Sequence, residues 1–450
     1  MTTLIVSPAE RPLTGSVPVP SDKSIGHRAL IFAALSRGAC RITGFSYGGD
    51  NVATLRALRQ LGVRIEDDER GNIVCHGVGL SGLRAPQGVI DCGNSGTSMR
   101  LFAGLLAAQP FEAVLVGDES LSRRPMRRVT APLEARGGRF QGQPNPEKPG
   151  EITAPLRVLG VAPGERLGPL EYTLPVASAQ VKSALLLSGL FASGPTLVSE
   201  PLVSRDHTER LMEALRLPVE TVGGMVSLHP PADPSCIEPF ELCVPGDFSA
   251  AAFVLTAGLL VPGSTVTVRD TGLNHTRTGL LDLMRAMGAP LGVEPHGSRL
   301  GESQGQVSVS ARQLRASNVG GELAVRAIDE IPIACALAAR ARGQSRFMDL
   351  AELRVKESDR IAEMVKVLGA FGVSAEETPD GLVVDGQPDG QLTAASLSSR
   401  GDHRIAMTAA VLGLLGDGPT RILDADCIAT SFPRFVGTLR ALGAEVEVAS

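Results

Sequence analysis

A chain of 450 residues with 43% hydrophobic content is long enough for two or three domains with real cores and too apolar to be disordered. Its formal net charge of −5 argues against a nucleic-acid or membrane surface, since either favours a broad basic face. The 7 cysteines include no C-x-x-C pair, so neither a zinc site nor a disulfide framework is indicated, no metal is expected, and reduced thiols in a cytoplasm fit.

Taken in chain order, the opening MTTLIVSPAERPLTG has neither the apolar stretch of a secretory signal nor an Arg/Ser-rich transit composition, and a strand within residues 2–19 is expected to fold back onto the last part of the chain. PSDKSIGHR predicts a helix start capped by Asp22. Lys23 and Ser24 lie at its first turn and Arg28 one turn on, where a phosphate or carboxylate would meet side chains and free N–H groups together. GNSGTSMR puts Asn94, Ser95, Gly96 and Thr97 before an apolar helix, with a glycine that lets a ligand approach the backbone. It matches neither G-x-x-x-x-G-K-[ST] nor G-x-G-x-x-G, which argues against a P-loop or dinucleotide site. In SRRPMRR, Pro125 suits a first helical turn and would place Arg123 and Arg124 at its cationic end.

The Pro/Gly-rich stretch QGQPNPEKPGEITAPLRVLGVAPGERLGP reads as loops between short strands. ASAQVKSA offers Ser178 and Gln180 as polar caps, and VSRDHTER brings Arg205 to a helix start. FELCVPG reads as a strand leading into AAFVLTAGLLV, which, like AMTAAVLGLLG, is about half a membrane span and reads as a buried core helix. PHGSRLGESQGQ looks like a hairpin or an exposed loop. Asp329 and Glu330 introduce the apolar AIDEIPIACALAA helix, and in LRVKESDR the spacing of Lys356, Glu357 and Arg360 predicts that they share one side of a first turn. GDHRIAM places Asp402 as cap with His403 and Arg404 entering an apolar helix, where unpaired charge is costly.

Six helix endings resemble one another: LRQLGVRIE, LEARGGRFQ, MEALRLPVE, MRAMGAPLGVE, LGAFGVSAEE and LRALGAEVEV. Gly62, Gly137, Gly288, Gly372 and Gly443 hold the helix-terminating position and Arg216 stands there in the third copy. Six earlier helices rich in Ala, Gly, Leu and Val carry little polar face and must be buried all round. The expected architecture is α/β: six repeated units with buried helices and sheets outside, arranged as two lobes. Residues 21–242 form one lobe, and residues 1–20 with 243–450 form the other.

Basic residues at several of these helix starts oppose the helix dipole, which is favourable only with an anion between them. Taken singly, each motif also has a plain structural reading, as a cap, a solvated basic face or a helical ion pair. Together they describe an enzyme for small, highly charged anions. Asp329 and Glu357 are the carboxylates placed among cations for proton transfer.

PSDKSIGHR, DCGNSGTSMRL, SLSRRPM, ASAQVKSA, RDHTER, IDEIPI, LRVKESDR, DHRIAM and IATSFPRF, in this order over nearly the whole chain, resemble the 5-enolpyruvylshikimate-3-phosphate synthases of the enolpyruvyl transferase family. The resemblance implies a two-lobe inside-out α/β fold with the active site between the lobes. It also implies transfer of the enolpyruvyl group of phosphoenolpyruvate to the 5-hydroxyl of shikimate 3-phosphate, on the route to chorismate and the aromatic amino acids. No cofactor, nucleic acid or membrane is implied, and a cytoplasmic monomer is expected. By the same resemblance, Lys23 and Arg124 hold the phosphate of phosphoenolpyruvate, and Arg360 and Arg404 its carboxylate. Ser24 and Arg28 engage the shikimate ring and carboxylate, Ser178, Arg205 and Lys356 its phosphate, and Gln180 lies between the two ligands. Asp329 assists removal of the 5-hydroxyl proton, and Glu357 exchanges protons with the enolpyruvyl methylene carbon.

Three departures from the family pattern stand out. Thr430 occupies the place of a lysine found in many relatives and is assigned no catalytic role, and Ala179 replaces a serine of the usual Ser-Ser-Gln run. RDHTE and IDEIPI resemble the branch that includes glyphosate-tolerant members, which carry alanine where this chain has Gly96, so glyphosate is expected to fit the phosphoenolpyruvate site and inhibit. UDP-N-acetylglucosamine enolpyruvyl transferases resemble the chain less: they use a lysine-asparagine pair near the start and usually a loop cysteine, against Lys23-Ser24 and a cysteine-free SLSRRPM here. A non-catalytic anion-binding scaffold is the alternative of a different class.

Overall fold

The computed structural model describes residues 2–145 and 148–449. They form two compact units, one comprising Ser21–Val244 with Ser298–Glu302, the other the chain up to Pro20, Pro245–Gly297 and everything from Ser303 on. Each unit has its own apolar core. Pro146 and Glu147, in the Pro/Gly-rich stretch read as loops, lie outside the described residues, and its flanks form strands Phe140–Pro144 and Ile152–Val158.

One plan recurs six times: an entry strand, a buried helix, a strand parallel to the first, a second helix, and an antiparallel pair. In the first unit the helix pairs are α1 (Lys23–Ala34) with α2 (Gly49–Gln60), α3 (Gly96–Ala107) with α4 (Arg127–Ala135), and α5 (Ala179–Gly189) with α6 (His207–Ala214). In the second they are α7 (Phe248–Leu260) with α8 (Gly279–Ala286), then, after the short α9 (Gly321–Arg326), α10 (Ile331–Ala339) with α11 (Arg360–Ala370), and α12 (His403–Gly413) with α13 (Phe435–Ala441). The third sheet shows the plan plainly. Leu170–Thr173 runs parallel to Thr196–Ser199, which pairs antiparallel with Met225–Leu228, and that with Val219–Val222.

Three repeats take strands from distant sequence. Glu241–Cys243, inside the FELCVPG segment, leads in sequence toward α7 but pairs with Ala39–Thr43 of the first repeat. Thr14–Pro18 supplies the parallel partner of Thr265–Gly272 beyond α7. Thr3–Val6 inserts between Thr420–Leu423 and Val446–Ala449. PHGSRLGESQGQ forms facing strands Leu291–Arg299 and Glu302–Ser310.

Burial follows the residue types. Every residue of α10 is buried, as is every residue of α7 but Leu260, because Ala, Val, Leu, Ile and Phe on all sides leave no face for water. Strands such as Ala39–Thr43 instead alternate exposed and buried positions, the signature of a sheet with one face on the core. At the six helix endings Gly62, Gly137, Gly288, Gly372 and Gly443 take φ between +78° and +106°, and Arg216 takes φ +59° at the same position. The turn geometry is therefore kept where the glycine is not, against a side-chain penalty of roughly 1–2 kcal/mol.

Candidate active site

In the first unit, helix starts assemble a group of donors. Asp22 caps α1 by accepting from the Ile25 N–H at 2.9 Å, and the next residue, Lys23, reaches Asp50 Oδ2 at 2.7 Å. No acidic residue lies in the first turn of α1, α3 or α5. Arg28 is buried, which rules out a solvated face. Its Nε donates to Thr208 Oγ1 at 2.6 Å, Nη1 to Ser24 O at 2.9 Å and Nη2 to Ser183 Oγ at 2.7 Å. Burial pulls its guanidinium down to about 10, and Glu209 is the strongest opposing influence.

Ser95 caps α3 by accepting from the Ser98 N–H at 3.1 Å, which exposes the Gly96 backbone toward two guanidinium groups. A Cβ at Gly96 would lie 3.0 Å from Arg100 Nη1 and 3.1 Å from Arg124 Nη1. Arg124 Nη2 donates to Asn94 Oδ1 at 2.8 Å. Gln180 ties α5 to α3, giving its amide N–H to Thr97 Oγ1 at 2.9 Å and accepting from Arg100 Nη1 at 2.5 Å. Ser178 caps α5 through the Val181 N–H, and Arg205 stands just before α6. Lys23, Gly96, Arg100, Arg124 and Gln180 are thus set on the starts of neighbouring helices or on the loop before α4.

In the second unit the centre is one carboxylate. Asp329 lies 3.6 Å from Arg277 Nη1, 3.6 Å from Arg360 Nη1, 3.7 Å from Lys356 Nζ and 3.8 Å from Arg404 Nη2. Arg404 Nη1 also donates to the Asp329 carbonyl at 2.6 Å. The fully buried Glu330 accepts from Ser249 Oγ and lies 3.8 Å from Arg404 and 3.9 Å from Arg277. Arg360, 1% exposed, donates Nε to Asp402 Oδ2 at 2.8 Å and Nη2 to Glu357 Oε2 at 2.6 Å. Burial alone would lower the Arg360 guanidinium, but Asp402 and Glu357 outweigh it and hold it above its ordinary value. Burial alone would raise the Asp402 carboxyl, but Arg360 holds it below the usual range. Burial pulls the Lys356 ammonium down, against the opposing pull of Asp329.

Two sequence expectations need correction. Pro125 does not open a helix: Leu121–Arg123 is a 3-10 turn, and α4 begins only at Arg127. The Glu151 carboxylate accepts from the N–H groups of Met126 and Arg127 at 3.0 and 2.7 Å, so that helix start already holds an anion from the chain itself. Arg123 is exposed and pairs with Glu119, whereas Arg124 turns toward Asn94. Lys356, Glu357 and Arg360 do not share a helical turn. Asp359 caps α11 by accepting from the N–H groups of Ile361 and Ala362 at 3.1 Å, so the helix begins at Arg360 and Lys356 sits in extended backbone. They converge all the same, through the bend rather than through helix periodicity.

Sequence reasoning missed Arg100, Asp50, Asp247 and Arg277. Arg100 lay within the quoted GNSGTSMR, one turn past the glycine. Arg277, which donates to Asp247 Oδ1 at 2.8 Å, lies in a loop with no helix-start signal. Thr430 donates to Cys427 O at 2.6 Å at the end of a 3-10 turn. Among the described residues no group of His, Cys, Asp and Glu could hold a metal ion, and no helix is long and apolar enough to cross a membrane.

Six αβ repeats of this plan, with cations gathered about helix starts, place the chain in the structural class of the enolpyruvyl transferases. The enolpyruvyl transferase NikO from Streptomyces tendae shares the fold at a TM-score of 0.76 and 17% identity, over 100% of this chain and 99% of that one. EPSP synthase from Acinetobacter baumannii is similar at a TM-score of 0.87 and 38% identity, over 100% of both chains. In sequence, the 3-phosphoshikimate 1-carboxyvinyltransferase of Geobacter sp. (strain M21) is 46% identical over 96% of this chain and 97% of its own. That of Xanthomonas campestris pv. campestris (strain 8004) is 46% identical over 96% and 95%. A family model for EPSP synthase (3-phosphoshikimate 1-carboxyvinyltransferase) matches residues 8–439, and the chain belongs to that family.

Proposed function

We propose that the chain catalyses the transfer of the enolpyruvyl group of phosphoenolpyruvate to the 5-hydroxyl of shikimate 3-phosphate with release of phosphate. The observation that carries the reading is the convergence of Lys356, Arg360, Arg404 and Arg277 within 4 Å of Asp329, with Glu357 hydrogen-bonded to one of those cations. Carboxylates of the chain pair with these cations, and the planar guanidinium donors of Arg360 and Arg404 suit a carboxylate ligand, which they would take from phosphoenolpyruvate. Lys23 and Arg124 would take its phosphate. Ser24 and Arg28 would engage the shikimate ring and carboxylate, while Ser178, Arg205 and Lys356 would bind its phosphate, with Gln180 between the ligands.

The chemistry is an addition followed by an elimination. Glu357 gives a proton to the methylene carbon of phosphoenolpyruvate, and the neighbouring carbon becomes cationic. The 5-hydroxyl oxygen bonds to that carbon as Asp329 takes the hydroxyl proton, giving a tetrahedral intermediate. Loss of a proton from the new methyl group back to Glu357 then restores the double bond as the C–O bond to phosphate breaks. The cations contribute by holding two mutually repelling anions together and by stabilising the departing phosphate. This reading needs no cofactor and fits a cytoplasmic monomer.

The test is phosphate release with both substrates and with each omitted in turn. Release should require both. Release without shikimate 3-phosphate, or with UDP-N-acetylglucosamine in its place, would overturn the assignment.

A further inference from the structure

The segment from Glu200 to Arg205 has no helix or strand of its own, and Pro201, Leu202 and Val203 are exposed. Buried charge nevertheless fixes its shape. Lys182, on α5 one turn beyond the Ser178 cap, extends its ammonium to Glu200 Oε1 at 2.5 Å and Glu209 Oε1 at 2.6 Å, with Ser204 O at 3.5 Å. The three side chains are 2%, 2% and 6% exposed. Glu200 also accepts from Ser204 N at 2.9 Å and Ser204 Oγ at 2.6 Å, closing the segment on itself immediately before Arg205. Beside this cluster Ser183 and Thr208 hydrogen-bond each other at 2.7 Å and both accept from Arg28.

One buried ammonium and two buried carboxylates are a poor way to gain stability, since well-packed apolar side chains of the same volume do as well or better. What they add is a fixed geometry. Lys182 ties the helix that carries Ser178 to both ends of the segment that presents Arg205. Burial alone would lower the Lys182 ammonium, but Glu209 and Glu200 outweigh it and hold it charged.

We propose that Lys182 is a positioning residue for the phosphate of the acceptor substrate: its grip on Glu200 and Glu209 sets Arg205 against Ser178 at the spacing one phosphate requires. This rests on the reading that Ser178 and Arg205 bind that phosphate. The Lys182 ammonium is buried against Glu200 and Glu209, so it would act through Arg205 and not on the substrate itself. Its loss therefore acts on recognition of the phosphate and not on the proton transfers.

Two variants test it, each first checked for cooperative thermal unfolding. Glu200→Gln keeps the shape and the Lys182–Glu209 pair. The triple change Lys182→Met, Glu200→Gln, Glu209→Gln removes the three charges of this cluster together at nearly constant volume, and the neighbouring Arg28, which loses Glu209, keeps Asp22 and Glu302 as opposing charges. In both, the KM for shikimate 3-phosphate should rise, by about tenfold or more in the triple variant, equivalent to roughly 1.4 kcal/mol. Inhibition by shikimate, which lacks the phosphate, and kcat should stay within about twofold of the parent, as expected when only uniform binding is lost. Unchanged KM for shikimate 3-phosphate in the folded triple variant overturns the proposal, and so does a parallel loss of affinity for shikimate, which marks general loosening. Arg205→Ala separates the two layers of the argument. If it leaves the KM for shikimate 3-phosphate unchanged, the phosphate assignment itself fails, whatever the Lys182 variants show.

Discussion

Glu357 accepts from Arg360 Nη2 at 2.6 Å, and Gln can keep the shape of that contact while losing the exchangeable carboxyl proton. Glu357→Gln should lower kcat by about 10²–10⁴, the usual worth of general acid–base catalysis, while shikimate 3-phosphate binds as before. Calorimetric titration together with steady-state rates measures both, and a variant with near-normal kcat refutes the proton-shuttle role. At Gly96 the question is space. A methyl group there would stand 3.0 and 3.1 Å from two guanidinium nitrogens, tighter than ordinary contact, and both are ends of flexible side chains that can shift by tenths of an ångström. Gly96→Ala should therefore fold, yet reshape the donors that face the phosphoenolpyruvate phosphate and weaken glyphosate inhibition by about tenfold, or ~1.4 kcal/mol. The parent enzyme should be inhibited. Undiminished turnover in millimolar glyphosate at limiting phosphoenolpyruvate would show that Gly96 does not admit it.

Among elements, α12 depends on Asp402, which caps it through the Arg404 N–H at 2.9 Å and holds Arg360 at 2.8 Å. Asp402→Asn leaves a buried guanidinium short of charge and should cost about 3–5 kcal/mol in urea unfolding near neutral pH. The sign of the pH dependence follows from the depressed carboxyl. Its stabilisation is complete above the ordinary aspartate value of 3.8 and is lost as pH falls from there through the lower folded value, so the gap between parent and variant should shrink only in that acid range. A gap that instead closes between neutral and pH 5 would refute the pairing. The same helix shows why some of the site was legible in sequence. A cap and the N–H groups it satisfies lie within three residues, so Asp22, Asp402 and their cations could be read locally. The approach of Arg277 to Asp329 depends on tertiary packing of a loop, and nothing local encodes it. The spacing of Lys356, Glu357 and Arg360 misled because Asp359 offers the better cap and starts the helix later.

For the molecule as a whole, the six glycine-type helix endings and six apolar helices made the repeat readable, because each is a local pattern copied along the chain. The return of the N-terminal strands to the second lobe was readable, but the particular sheets joined by Glu241–Cys243 and Thr14–Pro18 were not, since neither segment carries a mark of its partner. The outcome is two units with separate apolar cores, one built from residues between Ile25 and Val244, the other from Leu4 to Val17 and Phe248 to Val446. Separate cores predict separate cooperativity, so unfolding should depart from a single two-state transition, with a calorimetric enthalpy larger than the van't Hoff value. Two substitutions assign the steps. α3 and α5 cross at Gly104, where a Cβ would sit 2.2 Å from the Ala184 carbonyl oxygen, a backbone atom that cannot swing away. Gly104→Ala should cost about 1–3 kcal/mol of strain. It should lower the midpoint of one transition only, while Asp402→Asn lowers only the other. If either substitution moves both midpoints equally, or if one transition fits every probe, the two cores unfold as one cooperative body and their independence is refuted.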